Sequence, residues 1–144
     1  FRFVPPNRAD REFGRPVVPV AHVRERLGEH VSAHFEDVVR EAVAVNLGYS
    51  RVGRWWHGGD EIDVVGIDES GERYIACEVK WSRRKVGPNV VSDLERKSGL
   101  VREAEGHEME LMVVSRSGFT KKALELMDSK GIRHWDLHDL EEMV

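Results

Sequence analysis

The sequence has little cysteine, no long apolar run and almost no proline beyond its first segment. One cysteine, Cys77, occurs in 144 residues, so no disulfide can form within the chain, and this favours a reducing, cytoplasmic environment. We expect Cys77 to fill the core face of a strand rather than to react. No membrane-span-length apolar run, secretory signal or zinc-type Cys/His spacing is visible. The residues therefore predict a protein that neither crosses a membrane nor depends on disulfides or zinc.

Net positive charge is also lacking, since the formal net charge is −4. A protein-wide attraction for nucleic acid is therefore not expected. Locally, Lys80, Arg83, Arg84 and Lys85 form a compact basic stretch, which is either a phosphate clamp or an ordinary solvated loop. No Gly-x-x-x-x-Gly-Lys-Ser/Thr loop occurs, so any ATPase activity must belong to sequence outside this chain.

The length and the mixture of 40% hydrophobic with 33% charged residues suit one globular domain with its own core. Residues 1–29 do not form a domain by themselves. They begin with a β-like run, Phe1–Asn7, carry four prolines that interrupt helices, and leave room for one short helix at Val20–Leu27. We interpret residues 1–29 as an N-terminal extension, the end of a missing upstream region, and residues 30–144 as the domain.

The domain alternates between helical and strand patterns. Apolar residues at three- and four-residue spacing predict a helix over Glu29–Leu47, with Gly48 as its cap. The other predicted elements are strands at Ser50–Trp56, Glu61–Ile67, Tyr74–Trp81, Glu110–Ser115 and Ile132–Leu137, with helices at Asn89–Ala104, Lys121–Ser129 and after Asp139. This order, αβββαβ followed by a further helix and strand, predicts an α/β fold with a mixed central sheet flanked by helices.

The stretch from Asp60 to Trp81 has the pattern of a β-hairpin, two β-rich runs on either side of a polar turn. A two-residue turn at Ser70-Gly71 would pair residues whose numbers sum to 141, so that Asp63 lies opposite Glu78. A four-residue loop would shift the register by two residues and leave both acids on the same face. Lys80 joins the same face because side chains alternate with a period of two. The opposite face would pack against a core and would carry Ile62, Val64, Ile75, Cys77 and Val79.

Two carboxylates and an ammonium on one side of an apolar hairpin allow two interpretations. Like charges this close do not both ionise readily without a cation between them, and two hard oxygen ligands completed by water and phosphate are how Mg²⁺ is usually held. The alternative is a set of surface ion pairs, Glu78 with Lys80 or Asp63 with Arg54. A pair between Arg54 and a neighbouring glutamate is also open.

These residues resemble the motif of the PD-(D/E)xK nuclease superfamily, the restriction-endonuclease and Holliday-junction-resolvase type. Asp63 and the triplet Glu78-Val79-Lys80 match the motif, although Ile62 stands where the motif name has proline. More narrowly, the chain resembles the nuclease-like C-terminal domain fused to archaeal-type AAA ATPases. That resemblance covers roughly residues 30–140 and is carried by Phe35-Glu36, Gly53-Arg54-Trp55-Trp56, Glu61-Ile62-Asp63 and Glu78-Val79-Lys80-Trp81.

The resemblance implies a restriction-endonuclease-like αβββαβ core and Mg²⁺- or Mn²⁺-dependent hydrolysis of DNA. The implied metal ligands are Asp63, Glu78 and the Val79 carbonyl, while Lys80 would stabilise transition-state charge or orient water. Glu36, on the first core helix, would bind a second metal or its water. The implied phosphate contacts are Arg54, Arg83, Arg84 and Lys85.

The resemblance also implies partners. DNA is the expected substrate, an AAA ATPase domain is the expected N-terminal fusion, and a homodimer stays open. The alternative function is a non-catalytic DNA-binding or interaction module of such an ATPase, which the net negative charge favours. A module of that kind would need the basic stretch but not the Asp63, Glu78 and Lys80 set.

Overall fold

The computed structural model describes residues 2–4 and 32–143 and builds a six-stranded sheet in them. The Val20–Leu27 helix and the first residues of the predicted Glu29–Leu47 helix lie outside the described residues. The strands are β1 (Arg2–Val4), β2 (Arg51–His57), β3 (Asp60–Ile67), β4 (Arg73–Lys80), β5 (Glu108–Ser115) and β6 (Arg133–Asp136). The helices are α1 (Ser32–Leu47), α2 (Pro88–Ser98), α3 (Lys121–Lys130) and α4 (Leu137–Glu142), with a 3₁₀ turn at Arg102–Ala104.

The order of strands across the sheet is the same as their order along the chain. The first four strands are antiparallel neighbours, while β4, β5 and β6 run parallel, with α2 and α3 in the two connections. This is the mixed sheet that the sequence predicts, because antiparallel neighbours need only short turns and parallel neighbours need a helical crossover. In the described part of the chain, no helix is both long and apolar enough to span a bilayer.

Both faces of the sheet are covered by helices. Phe35, Val39 and Val43 follow one another at four-residue spacing on α1 and are fully buried against one face. Fully buried side chains on the other face are Trp55, Val91, Leu94, Ala123 and Met127. Burial of a large apolar side chain contributes about 1.5–3 kcal/mol, so these two layers hold β3 and β4 in the middle of the molecule.

Helix α2 is shorter than the predicted Asn89–Ala104. It ends at Ser98, and the Leu100 N–H donates to the Lys97 carbonyl at 2.9 Å in a tight turn. Gly99 explains why the helix ends at Ser98, because glycine has low helix propensity.

The hairpin register is the predicted one, with Val64 opposite Cys77 and Ile67 opposite Tyr74. The predicted two-residue turn is wrong, since β3 ends at Ile67 and β4 begins at Arg73. The Asp68 carboxylate accepts hydrogen bonds from the backbone N–H groups of Glu72 and Arg73 at 3.1 and 3.2 Å. A side chain therefore supplies the partners that a tighter turn would take from the backbone.

A bulge in β3 changes which way its side chains point. Gly53 pairs with Val65 and Trp55 pairs with Ile62, so Arg54 alone stands opposite both Asp63 and Val64. Two residues against one is the definition of a β-bulge, which bends the strand and re-aims a side chain. The prediction that Ile62 and Val64 share a face is therefore wrong. Val64 packs with α1, whereas Ile62 packs in the core that includes α2.

At the end of the sheet away from this bulge, Tyr49, two residues beyond α1, hydrogen-bonds to residues of β4 and β5. Its hydroxyl donates to Glu110 at 3.0 Å and accepts from Arg73 at 3.4 Å, and Arg133 Nε donates to the other Glu110 oxygen at 2.7 Å. Burial, with the adjacent Glu110 charge, raises the pKa of Tyr49 to about 12. Only two tyrosines occur in the sequence, so the residue can be followed by its absorbance.

We expect one tyrosine to ionise near pH 12 in an absorbance titration, and this late step to disappear in Tyr49→Phe. An unfolded tyrosine ionises near pH 10. The raised folded-state pKa of Tyr49 therefore contributes stability that is complete below about pH 10 and is lost as the pH rises towards 12, by about 2–3 kcal/mol at most. Tyr74→Phe serves as the control, and a late step that survives in Tyr49→Phe would contradict the assignment.

Candidate active site

Asp63 lies where β3 and β4 separate. Hydrogen-bonded pairing between the two strands ends with Val64 opposite Cys77. Beyond that pair, Asp63 Oδ2 accepts a hydrogen bond from the Val79 N–H at 2.9 Å. A carboxylate oxygen has therefore taken the place that a backbone carbonyl has in a regular ladder. The strands are held apart by a side chain at this point, and a cleft opens between them.

Glu78 and Lys80 meet on the α2 face of β4, as the alternation along the strand predicts. Glu78 Oε1 is 3.7 Å from Lys80 Nζ. The two residues differ in exposure, because Glu78 is 7% exposed whereas 41% of the Lys80 side chain is accessible. The ammonium thus stands at the mouth of the cleft and the carboxylate lies deeper.

Lys97 of α2 is a member of this site that the sequence reasoning missed. Its Nζ donates to Glu78 Oε2 at 2.8 Å and to the Glu61 backbone carbonyl at 2.7 Å, and its exposure is 6%. A signal was present in the sequence, because Lys97 follows Leu94 by three residues and therefore falls on the apolar stripe of the helix. A lysine at a core position of a helix indicates a partner for a buried acid.

Glu36 approaches from α1, on the opposite side of the sheet. Its Oε2 accepts from Arg54 at 2.8 Å and lies 3.5 Å from Arg40. Arg54, the single residue of β2 that stands opposite the bulge, is the residue that reaches Glu36. Of the two pairings left open for Arg54, the one with a glutamate is found.

The carboxylates of this site repel one another. Burial and the Asp63 charge raise the pKa of Glu78, although Lys97 and Lys80 act in the opposite direction. Burial and the Asp63 charge also raise the pKa of Glu36, against the effect of Arg54 and Arg40. Asp63 is thus close enough to two other acids, one on each side of the sheet, for its charge to disfavour their ionisation.

The side chains border a cleft of about 520 Å³. Its lining residues are Glu36, Gly59, Asp60, Glu61, Asp63, Glu78, Val79, Lys80, Trp81, Asp93 and Lys97. Among the residues that the structure describes, no group of three or more His, Cys, Asp or Glu side chains is placed so that it could hold a metal ion. Mg²⁺, however, is commonly held by one or two carboxylates with water and phosphate oxygens, and Asp63 and Glu78 with the Val79 carbonyl fit that kind of open site.

The rest of the basic stretch lies outside the cleft lining. Arg83, Arg84 and Lys85 are exposed on the loop after β4. Arg116, at the end of the neighbouring strand β5, stacks on the Trp81 ring with its guanidinium carbon 4.2 Å from the ring centroid. Arg116 is therefore a further cation beside the cleft, because Trp81 lines the cleft, and the sequence analysis did not identify it.

Comparison with known proteins gives one family match and one curated relative. Residues 1–95 match the model of the family DUF234, described as Archaea bacterial proteins of unknown function. The relative is uncharacterized protein MJECL04 of Methanocaldococcus jannaschii, which is 29% identical over 110 residues. The match covers 70% of this chain and 25% of the relative, so the chain spans about a quarter of the relative's length.

Solved structures that share the fold include a repair endonuclease and EndoMS. A repair endonuclease from Pyrococcus abyssi superposes with a TM-score of 0.54 at 23% identity, over 74% of this chain and 46% of its own. EndoMS in its apo form superposes with a TM-score of 0.56 at 21% identity, over 74% of this chain and 45% of its own. The EndoMS complex with double-stranded DNA superposes with a TM-score of 0.53 at 21% identity, over 72% of this chain and 43% of its own. The architecture is therefore restriction-endonuclease-like, as the sequence resemblance predicts, and the chain spans less than half of each of these proteins.

Proposed function

We propose a function on the premise that the chain belongs to DUF234, since the family model matches about two thirds of it. The chain is a metal-dependent nuclease domain that hydrolyses phosphodiester bonds in DNA. The family description assigns no activity, so the proposal depends on the site. Its fold is shared with a repair endonuclease and with EndoMS, which is solved in complex with double-stranded DNA, and this agrees with a function on DNA.

One observation carries the proposal: the gap between β3 and β4 brings Asp63, Glu78 and Lys80 to one cleft. Regular pairing would close this gap. The bulge and the bond from Val79 N–H to Asp63 keep it open. Acidic ligands at the edge of a separated strand pair, with a lysine beside them, form an arrangement that suits a divalent cation and a phosphate oxygen at the same point.

Each side chain has a distinct task in this scheme. Asp63 and Glu78 would hold an Mg²⁺ or Mn²⁺ ion together with the Val79 carbonyl, and the bound ion would supply Lewis-acid polarisation of the phosphate and activation of water. Lys80 is accessible and positively charged beside Glu78, so it stabilises negative charge on the phosphate as the bond breaks. Glu36, fixed by Arg54 on the far side of the gap, binds water or a second ion.

The DNA backbone lies along the loops after β4 and β5. Arg83, Arg84 and Lys85 are exposed there, with Arg116 adjacent on Trp81. Phosphate contacts from arginine and lysine position a duplex without reading its sequence. Because the curated relative is about four times longer than the matched segment, we further propose that this domain acts within a larger protein. The resemblance to the C-terminal domain of archaeal-type AAA ATPases suggests that this larger protein carries an ATPase.

The test is cleavage of supercoiled plasmid and of single-stranded DNA in Mn²⁺. We expect nicking by the wild type, loss of nicking with a chelator, and a fall of about 10²-fold in Lys80→Ala, since one charge-stabilising group typically contributes 10²–10³-fold. Lys130→Ala is the matched control, because Lys130 pairs with Glu95 on the surface. Cleavage that persists at the wild-type rate in Lys80→Ala would contradict the proposal.

A second function is a DNA-binding module that has no catalytic activity. It is favoured by the ion pairs that two of the acids make with basic residues of the chain. Glu36 is already paired with Arg54 and Glu78 with Lys97, so two of the three acids have a counter-charge from the chain itself. Calorimetric titration with Mn²⁺ distinguishes the two functions. A nuclease domain shows binding that depends on Asp63, whereas a pure binding module shows none.

A further inference from the structure

The gap between β3 and β4 is bridged by two side chains instead of backbone pairs. The Val79 N–H on β4 donates to the Asp63 carboxylate. The Glu61 carbonyl on β3 accepts from the ammonium of Lys97. Buried backbone groups need partners, so an aspartate stands in for a carbonyl and a lysine stands in for an amide. Lys97 is thus part of what sets the width of the gap.

Lys97 also fixes the orientation of one carboxylate. It binds Glu78 through Oε2 at 2.8 Å, while Oε1 of the same carboxylate is 3.7 Å from Lys80, beyond hydrogen-bond distance. The Lys97 ammonium is itself held in place by Glu61 and lies 3.5 Å from Asp93. One oxygen of Glu78 is therefore tied to a rigid helix, and the other is directed towards the cleft.

The charge on Lys97 is maintained by its surroundings. Two carboxylates lie around the ammonium, with Glu78 Oε2 at 2.8 Å and Asp93 Oδ2 at 3.5 Å. The side chain carries three donors on a point charge, two of which are used at 2.7 and 2.8 Å. A neutral residue would keep neither the charge nor this pair of bonds.

We propose that Lys97 is a positioning residue, which holds Glu78 by Oε2 so that Oε1 is presented to the divalent cation and the scissile phosphate. This inference deepens the proposed nuclease function and rests on it. It differs from a competing role, in which Lys97 occupies the cation position itself and must leave before the ion binds. Groups that orient a metal ligand in this way typically contribute 10- to 100-fold to metal affinity.

The first measurement is Mn²⁺ affinity by calorimetry, in the absence of DNA, for the wild type and Lys97→Gln. Glutamine retains a donor for the Glu61 carbonyl and removes the charge, so the variant is expected to fold and to bind Mn²⁺ about 10- to 100-fold more weakly. Lys130→Gln is the control, since Lys130 also reaches α2, at Glu95, but on the surface. It is expected to bind Mn²⁺ as the wild type does.

The second measurement needs no variant. Acetic anhydride labelling followed by mass spectrometry compares Lys97 with Lys130. Lys97 is expected to be protected both without and with saturating Mn²⁺, because a positioning residue stays on Glu78 when the ion binds. Rapid labelling of Lys97 on adding Mn²⁺ would show that the ammonium is displaced, and would overturn the inference.

Failure of the positioning role of Lys97 and failure of the nuclease proposal give different results in these measurements. Wild-type Mn²⁺ binding that depends on Asp63, with Lys97→Gln binding equally or more tightly, overturns the role of Lys97 and leaves the nuclease proposal standing. Wild-type protein that shows no Asp63-dependent binding overturns both.

Discussion

Replacing Asp63 with asparagine is expected to reduce Mn²⁺-dependent plasmid cleavage by about 10³-fold, which corresponds to about 4 kcal/mol of transition-state stabilisation. Asparagine still offers an oxygen to the Val79 N–H, which Asp63 meets at 2.9 Å, so the gap and the bulge should persist. What it removes is the negative charge that a hard cation requires. The loss should therefore appear in chemistry and metal affinity and not in folding.

The measurement is the initial rate of nicking together with calorimetric Mn²⁺ affinity, both on protein with a wild-type melting temperature. Asp128→Asn provides the same chemical change on α3, where the side chain is 72% exposed and faces His134. It should leave both quantities unchanged. If Asp63→Asn cleaves like the wild type, Asp63 holds no catalytic metal.

Removal of Lys97 alone should cause the second large effect, on stability. Lys97→Met is expected to lower the free energy of unfolding by about 3–5 kcal/mol, because it removes the hydrogen-bonded counter-charge of the buried Glu78 carboxylate and leaves only the partly exposed Lys80 ammonium at 3.7 Å. The side chains of the pair are only 7% and 9% exposed, so solvent screens them little. Changing both residues, Glu78→Gln with Lys97→Met, should recover most of the loss, since no isolated charge remains.

Urea denaturation of the wild type, the two single variants and the double variant measures this coupling as a double-mutant cycle. Lys130→Met is the reference for an exposed pair, whose loss should cost no more than about 1 kcal/mol. Additive effects of the two single changes would mean that Glu78 and Lys97 do not stabilise one another.

The sequence predicts much of this geometry because strand alternation is a strong rule. The shared face of Glu78 and Lys80 follows from it, and the order of the elements follows from it together with the three- and four-residue spacing of the helices. The register that places Val64 opposite Cys77 is the one predicted from a turn centred at Ser70-Gly71, although the observed turn is longer. The period of two also produced the error at Ile62, since a bulge inserts one residue and reverses every face beyond it. No feature of the sequence around Asp63 indicates that the strand contains a bulge there.

Lys97 was harder to predict for a different reason. It is 34 residues beyond Asp63 in the sequence, and its contact with Glu78 depends on how α2 packs on the sheet. Tertiary packing decides such a contact, whereas the periodicity of a helix states only which side faces inward. The roles of Asp63, Glu78, Lys80 and Glu36 in catalysis stay predictions.

The pairing of β1 with β2 bears on how the domain should be produced. Residues 2–4 lie far before α1 in the chain, yet they pair with Arg54, Trp55 and Trp56 at the border of the sheet. A protein shortened to start near residue 30 would lack that outer strand and would present the backbone of β2 to solvent. Exposed strand edges recruit other chains. Dimers or aggregates of the shortened protein would then report this uncovered edge, and the full chain is the material on which assembly should be measured.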